Sequence, residues 1–288
     1  MYAAPFDYYR AGSIDEAQQL LKKHPGAKLL AGGHSLIPLL KMRLTSPSAL
    51  VDIGRIKELK GITSKDGVVR IGSLTTHAEV ASSDVIKSAC PMLAEAAAQI
   101  GDPQVRNCGT VGGNVAHADP ASDLPAVFSA LDATFTAAGP KGTRTIAAAD
   151  FFQGMMATAL ADGEILTAVE FAACKAGEGT AYEKFVHPAS RYAVVGAAAT
   201  VTVKGGVCAN ARVALGGLLP AAARLASVEA AVNGAKASGD TAAKAAELVA
   251  KHLGGDVLED VYASAAYRRA MAAVYVKRAL ASAITRAA

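Results

Sequence analysis

Lys28-Leu29-Leu30-Ala31-Gly32-Gly33-His34-Ser35-Leu36 reads as a short apolar strand running straight into a Gly-Gly loop, and this stretch decides the fold. A second pair, Thr110-Val111-Gly112-Gly113-Asn114, follows the turn-forming Gly101-Asp102-Pro103 segment. Glycine lacks a Cβ and tolerates positive φ, so its amides can converge on phosphate oxygens that a larger residue would push away. Two such loops imply a diphosphate held from two sides, as in a bound dinucleotide. Leu36 to Leu44 then reads as a helix with Pro38 in its first turn, where the missing amide costs nothing. Its N-terminus faces the loop and adds to the preference for an anion.

Working outward, Ser13-Ile14-Asp15-Glu16 has the capping-box pattern and opens a helix that runs to about His24, where Pro25-Gly26 ends it. Leu50 to Ile53 and Val68 to Ile71 read as strands, and Thr76-His77-Ala78-Glu79 caps a further helix. Pro91 opens another helix, through Met92 to Ile100. Phe135 to Ala138, Ile165 to Phe171, Ala193 to Val203 and Ala211 to Leu215 are strand-like. From about Ala221 onward the pattern is mostly helical, with Asp240 and Ser264 as helix caps. The expected class is α+β.

Composition narrows the function. The chain has 288 residues, 52% hydrophobic and 19% charged, enough to bury a substantial core in two units. No run approaches the about 20 apolar residues of a membrane span. The first residues lack a secretory pattern, so the expected location is cytoplasmic. A net charge of +4 without a basic block, and no Trp, argue against nucleic acid. Cys90, Cys108, Cys174 and Cys208 are scattered without a Cys-x-x-Cys pair, which reads as four reduced, mostly buried thiols. His77, His117 and His187 have no ligand spacing, so no metal site is expected.

Gly-Gly pairs also occur at Gly205-Gly206, Gly216-Gly217 and Gly254-Gly255, where turns explain them. Neither N-terminal pair is Gly-x-Gly-x-x-Gly, and no Walker lysine follows, so neither a Rossmann site nor a P-loop is indicated. The neighbouring motifs distinguish the two pairs. Asp119-Pro120-Ala121-Ser122-Asp123, Gly163-Glu164-Ile165-Leu166, Tyr182-Glu183-Lys184 and Tyr267-Arg268-Arg269-Ala270-Met271 follow them in order. With these, nearly the whole chain resembles the FAD-binding medium subunits of molybdenum hydroxylases, in the form found in aerobic carbon monoxide dehydrogenases and the xanthine dehydrogenase family.

The resemblance implies a two-subdomain FAD-binding fold of the vanillyl-alcohol-oxidase-like type over residues 1–177, split near Gly54, and a small α+β C-terminal domain over 178–288. It implies that Leu29, Leu30, Ala31, Gly32, Gly33, His34, Ser35 and Leu36, with Thr110, Val111, Gly112, Gly113 and Asn114, cradle the FAD diphosphate. Asp123, Leu166 and Lys184 would touch the rest of the cofactor, and Tyr192 would stand near the flavin ring. Read from the residues alone, Asp123 also suits a helix N-cap, and Lys184 a solvated strand end. His34 suits a backbone-amide role better than acid–base work.

No catalytic acid or base is expected in this chain. The implied partners are a large subunit with a molybdenum cofactor and a small subunit with two [2Fe-2S] clusters, arranged as a dimer of heterotrimers. FAD in this chain would take electrons from the clusters and pass them to an external acceptor. The competing expectations are a self-sufficient flavin oxidoreductase on the same fold and an adaptor that has lost the cofactor. Intact glycines at 32, 33, 112 and 113 weigh against the adaptor.

Overall fold

The computed structural model describes residues 2–288. Its first sheet is parallel: β1 (Asp7–Arg10), β2 (Lys28–Leu30) and β3 (Ala49–Asp52) lie in the order β1-β3-β2. Parallel neighbours need crossovers, and α1 (Ile14–Lys23) and α2 (Leu36–Lys41) supply them. Ser13 caps α1 by accepting from the Glu16 amide at 3.1 Å, but Glu16 reaches past Ser13 to the Gly12 amide at 2.7 Å. α2 ends three residues before the expected Leu44. Arg43 turns to φ +55° and the Leu44 amide donates back to the Leu39 carbonyl, leaving Leu44 exposed.

The second sheet is antiparallel and holds β4 (Ile62–Lys65), β5 (Val68–Gly72), β6 (Thr134–Gly139), β7 (Gly142–Ala147) and, after the β8 (Phe152–Gly154) and β9 (Ala157–Thr158) hairpin, β10 (Ile165–Ala172). Its order is β4-β5-β10-β6-β7. Six helices are inserted between β5 and β6: α3 (His77–Ser82), α4 (Asp84–Ala89), α5 (Pro91–Ala98), α6 (Pro103–Cys108), α7 (Val111–His117) and α8 (Leu124–Ala130). A single turn, α9 (Ala148–Phe151), follows β7. Thr76 forms the full capping box with Glu79 at the start of α3. Phe128, Phe135, Phe151 and Phe171 fill the core beneath the sheet.

The third sheet is an antiparallel meander of β11 (Glu178–Val186), β12 (Ala193–Lys204), β13 (Val207–Gly216) and β14 (Ala223–Arg224). Helices α10 (Ala226–Val232), α11 (Gly239–Ala246), α12 (Val249–His252) and α13 (Ala265–Ala287) cover one face. α13, capped by Ser264, packs onto β11 and β12 so tightly that a β-carbon at Gly179 would overlap the Ala283 carbonyl. The alanine-rich composition serves this close approach. The cap of α11 is Ser238, which accepts from the Thr241 amide, and the expected Asp240 lies inside the helix.

The other face of the third sheet rests on α8. Asp132, just after α8, pairs with Arg212 and Arg224 of the third sheet, and Arg286 of α13 pairs with Glu95 of α5. Only Cys90 and Cys208 are buried thiols. Cys174 is half-buried and Cys108 is exposed at the end of α6, against the expectation that most are buried. Among the described residues no helix is long and apolar enough to cross a membrane, and no group of His, Cys, Asp or Glu is placed to hold a metal.

Candidate functional site

A cleft of about 720 Å³ opens where the three sheets meet. That lies within the range of small-ligand and cofactor sites. The loop after β2 lines it with Ala31, Gly32, Gly33, His34 and Ser35, flanked by Leu29 and Leu36. The segment after α6 adds Thr110, Gly112, Gly113 and Asn114; Asp123, Leu166 and Tyr192 complete the expected set. Three expected residues stand back from the cleft: Leu30, within β2; Val111, buried in the core; and Lys184, whose side chain is enclosed behind Asp123.

The two glycine segments prove unlike one another. In the first, the amides of Gly32, Gly33, His34, Ser35 and Leu36 have no acceptor among the described residues. Gly33 has φ +74°, a conformation that favours glycine and turns the chain into α2. The second is no loop but the first turn of α7. There the Val111 amide donates to Thr75 O at 2.9 Å, Gly112 to Ser73 O at 2.8 Å, Gly113 to the capping Thr110 Oγ1 at 3.1 Å and Asn114 to Thr110 O at 3.0 Å. The expectation of bare amides on both sides therefore holds only for the first segment. The second contributes a smooth wall.

That wall rests on close packing. A β-carbon at Gly32 would overlap the Cys108 carbonyl, and one at Gly112 would lie 2.8 Å from Ser73 O. At Gly113 it would meet only Thr110 Oγ1, at 2.8 Å. The third wall is the turn at Ala161–Ile165. Glu164 accepts from Arg144 Nε at 2.7 Å and Nη2 at 2.9 Å, and from the Ala161 amide at 2.7 Å. The Arg144 contact holds the Glu164 carboxyl below its ordinary range. A register shift between Leu166 and Ala168 sets Leu166 at the cleft edge.

Several polar groups of the lining are unpaired. Ser73 Oγ, His77 Nδ1 and Asn114 Oδ1 are buried without a hydrogen-bond partner, although Asn114 Nδ2 donates to Ser122 Oγ at 3.1 Å. Buried polar groups are rarely left so, and their concentration on one cleft fits a polar ligand. His77 is held neutral: burial, with His34 and Arg106 nearby, lowers its pKa to about 4. His34 Nε2 lies 3.3 Å from Gln104 O, so its ring bridges the loop to α6 rather than facing a reacting proton. Ser73 and His77 were not expected in the site. The capping box beginning beside His77 was the signal that could have placed them there.

Asp123 makes no cap bond to α8, so the N-cap reading fails. Its carboxylate accepts from Tyr182 Oη at 2.6 Å and Lys184 Nζ at 2.9 Å. Lys184 is accordingly an ion-pair partner, neither a solvated strand-end lysine nor a lining residue. Burial pushes the Asp123 carboxyl up, while Lys184 and Tyr182 oppose that shift. Tyr192 reaches the mouth beside Ser35; burial raises its pKa, with Asp119 and Asp123 adding to the effect.

Residues 4–172 match the family model described as the FAD binding domain in molybdopterin dehydrogenase, and residues 180–283 match the CO dehydrogenase flavoprotein C-terminal domain. The chain is 39% identical over 287 residues to the carbon monoxide dehydrogenase medium chain of Hydrogenophaga pseudoflava, covering 98% of each. It is 37% identical over 279 residues to the glyceraldehyde dehydrogenase medium chain of Sulfolobus acidocaldarius, covering 97% of this chain and 98% of that one. A solved structure of carbon monoxide dehydrogenase from Hydrogenophaga pseudoflava that lacks the Mo-pyranopterin moiety of its cofactor superimposes with a TM-score of 0.96 at 40% identity, covering 100% of both chains.

Proposed function

The chain belongs to the FAD-binding medium subunits of the molybdenum hydroxylases, and on that premise we propose that it holds FAD in the cleft and relays electrons within a three-subunit oxidoreductase. The observation that carries this reading is the run of five unspent amides from Gly32 to Leu36, in one cleft with a wall of unpaired polar atoms. Amides of this kind suit the FAD diphosphate.

In this reading Gly32 to Leu36 bind the diphosphate, and Gly112 and Gly113 give it room. Asn114 and Ser73 supply hydrogen-bonding groups along the cofactor. Asp123 accepts a hydrogen bond from it, Leu166 packs against it, and Tyr192 stands at the mouth beside the ring. Bound FAD supplies the capacity to accept electrons and pass them on. The protein's work is to bind, orient and electrostatically surround it. No step in this reading asks His34 or His77 to transfer a proton.

The electrons come from the [2Fe-2S] clusters of a small subunit, which draws them from a large subunit carrying the molybdenum cofactor, in a dimer of heterotrimers. They leave to an external acceptor. Residues 1–177 form the FAD unit, divided near Gly54, and 178–288 the C-terminal unit. The complex is cytoplasmic, in keeping with four free thiols. Relatives named for carbon monoxide and for glyceraldehyde resemble this chain almost equally, so its sequence follows electron handling and leaves substrate choice to the large subunit.

The test is to purify the chain with its accompanying subunits, record the visible spectrum and identify released cofactor by mass spectrometry. Stoichiometric FAD together with molybdenum and iron supports the reading. A complex that carries molybdenum and iron but releases no FAD and refuses added FAD overturns it in favour of an adaptor, and turnover by the isolated chain would favour a self-sufficient oxidoreductase.

A further inference from the structure

Asp123 occupies the position of an N-cap but has helical backbone angles, φ −76° and ψ −43°, and its side chain turns away from α8. Both carboxylate oxygens are engaged from β11: Tyr182 Oη donates to Oδ1 at 2.6 Å and Lys184 Nζ to Oδ2 at 2.9 Å. Residues two apart on a strand share a face, so Tyr182 and Lys184 approach the same carboxylate side by side. Lys184 also donates to Gln99 O at 3.4 Å.

Tyr182 is 4% exposed, and its ring leans over Gly196 on β12. Gly196 is the register partner of Lys184, hence a diagonal neighbour of Tyr182. A β-carbon at Gly196 would overlap the tyrosine hydroxyl and lie 3.2 Å from its Cζ. A small residue on β12 thus clears the path by which Tyr182 reaches Asp123. With Lys184 alone, the carboxylate could swing about its terminal torsion. The second donor fixes its plane while sharing its charge.

We infer that Tyr182 is a positioning residue acting through Asp123: its hydroxyl, in the space left by Gly196, holds the carboxylate ionised and aimed as an acceptor in the cofactor cleft. The C-terminal domain thereby completes a site whose amides come from the first sheet. The inference rests on FAD being the occupant of the cleft.

The groups facing Asp123 set the pH test. They are Tyr182 and Lys184 from β11 and Tyr192 from the loop before β12, the last of which also faces Asp119. Of these, Tyr182 is the neutral donor that can be removed as a single hydroxyl. The chain, purified with its accompanying subunits and stripped of flavin by chaotropic salt, is titrated with FAD between pH 5.5 and 8 as wild type, Tyr182→Phe and Asp123→Asn.

Without the hydroxyl the carboxylate protonates more readily. Tyr182→Phe is expected to bind FAD within about threefold of wild type at pH 8 and about tenfold more weakly at pH 5.5, the acid limb moving up by about one pH unit. Asp123→Asn is expected to bind weakly with no acid limb. Gly196→Val, which keeps the tyrosine but fills the space its hydroxyl occupies and so displaces it from Asp123, is expected to reproduce the Tyr182→Phe profile. A constant ratio between Tyr182→Phe and wild type across the pH range, with unchanged thermal unfolding, overturns the inference, because lost packing does not titrate. A wild-type complex that takes up no FAD at any pH overturns the cofactor reading itself.

Discussion

Gly32 and the carbonyl of Cys108 are packed so closely that no β-carbon fits between them. The first glycine segment is thus clamped to the end of α6, two residues before the second segment begins. Gly112 is pressed in the same way against Ser73. These two glycines are required by protein packing, whereas a side chain at Gly113 would meet only the Thr110 hydroxyl and the cleft.

The two kinds of glycine should separate on substitution. Gly32→Ala is expected to destabilise the chain by about 1–3 kcal/mol, the range for overpacking a closed contact, read as an earlier denaturant midpoint. Gly113→Val should lose only its cap bond, about 1 kcal/mol, and keep its fold while FAD falls well below stoichiometric in the purified complex. Full flavin occupancy in Gly113→Val would count against the second segment as a cofactor wall.

His77 makes stability depend on acidity. Its folded pKa is about 4 against about 6.5 in the unfolded chain. The unfolded state therefore binds a proton first as pH falls. The stability associated with the neutral ring is complete above pH 6.5 and is lost progressively down to about pH 4, by at most about 3 kcal/mol. Denaturant melts at pH 7, 5.5 and 4.5 should show this loss in wild type and a smaller one in His77→Gln. Equal slopes would mean that the ring is not buried neutral.

Elements with local signals were legible in the sequence. Thr76 and Glu79 satisfy each other within a single turn, Ser264 caps α13, and the strand from Lys28 into Gly32-Gly33 needed only apolar pattern and turn chemistry. Errors arose where a partner lies far along the chain. Asp123 looks like a cap because aspartate often is one, but its donors are 59 and 61 residues away. The second glycine pair looks like a loop because Gly-Gly disfavours helix, yet bonds from Val111 to Thr75 and Gly112 to Ser73 hold it in a helical turn. At α11, Ser238 and Asp240 offer competing caps two residues apart, and local chemistry ranks them nearly equal.

Arg268, in the Tyr267 to Met271 segment, is only 5% exposed. Its Nη1 donates to Val194 O at 3.0 Å and Gly217 O at 2.8 Å, its Nε to Ala263 O at 3.3 Å, and its Nη2 to Asp260 at 2.6 Å. One guanidinium thus joins α13 to β12 and to the turn after β13. Arg268→Met keeps most of the volume but strands three carbonyls, and is expected to cost about 3–5 kcal/mol. Arg268→Lys should recover little, since an ammonium does not span the same fork. Denaturant titration of the three proteins checks the order, and a methionine variant within about 1 kcal/mol of wild type would show that the bonds contribute little.

The four thiols should report the packing directly. Cys108 is exposed and should react first with a thiol-specific disulfide reagent. Cys174 is half-buried and shares a hydrogen bond with Cys90 that pulls its own thiol pKa down and pushes that of Cys90 up, with burial adding to the rise at Cys90. Cys174 should therefore react second, slowed by access, while Cys90 stays inert until the chain unfolds. Cys208, on β13, is buried in the core between the third sheet and its helices, and burial raises its thiol pKa as well. Native titration should therefore show one fast and one slow thiol, with two more released in denaturant. Peptide mapping should identify the fast thiol as Cys108, whose carbonyl abuts Gly32. If bound FAD tightens the first glycine segment, its addition should slow modification at Cys108 and leave the Cys174 rate unchanged. Equal protection of both would indicate general stiffening of the chain instead.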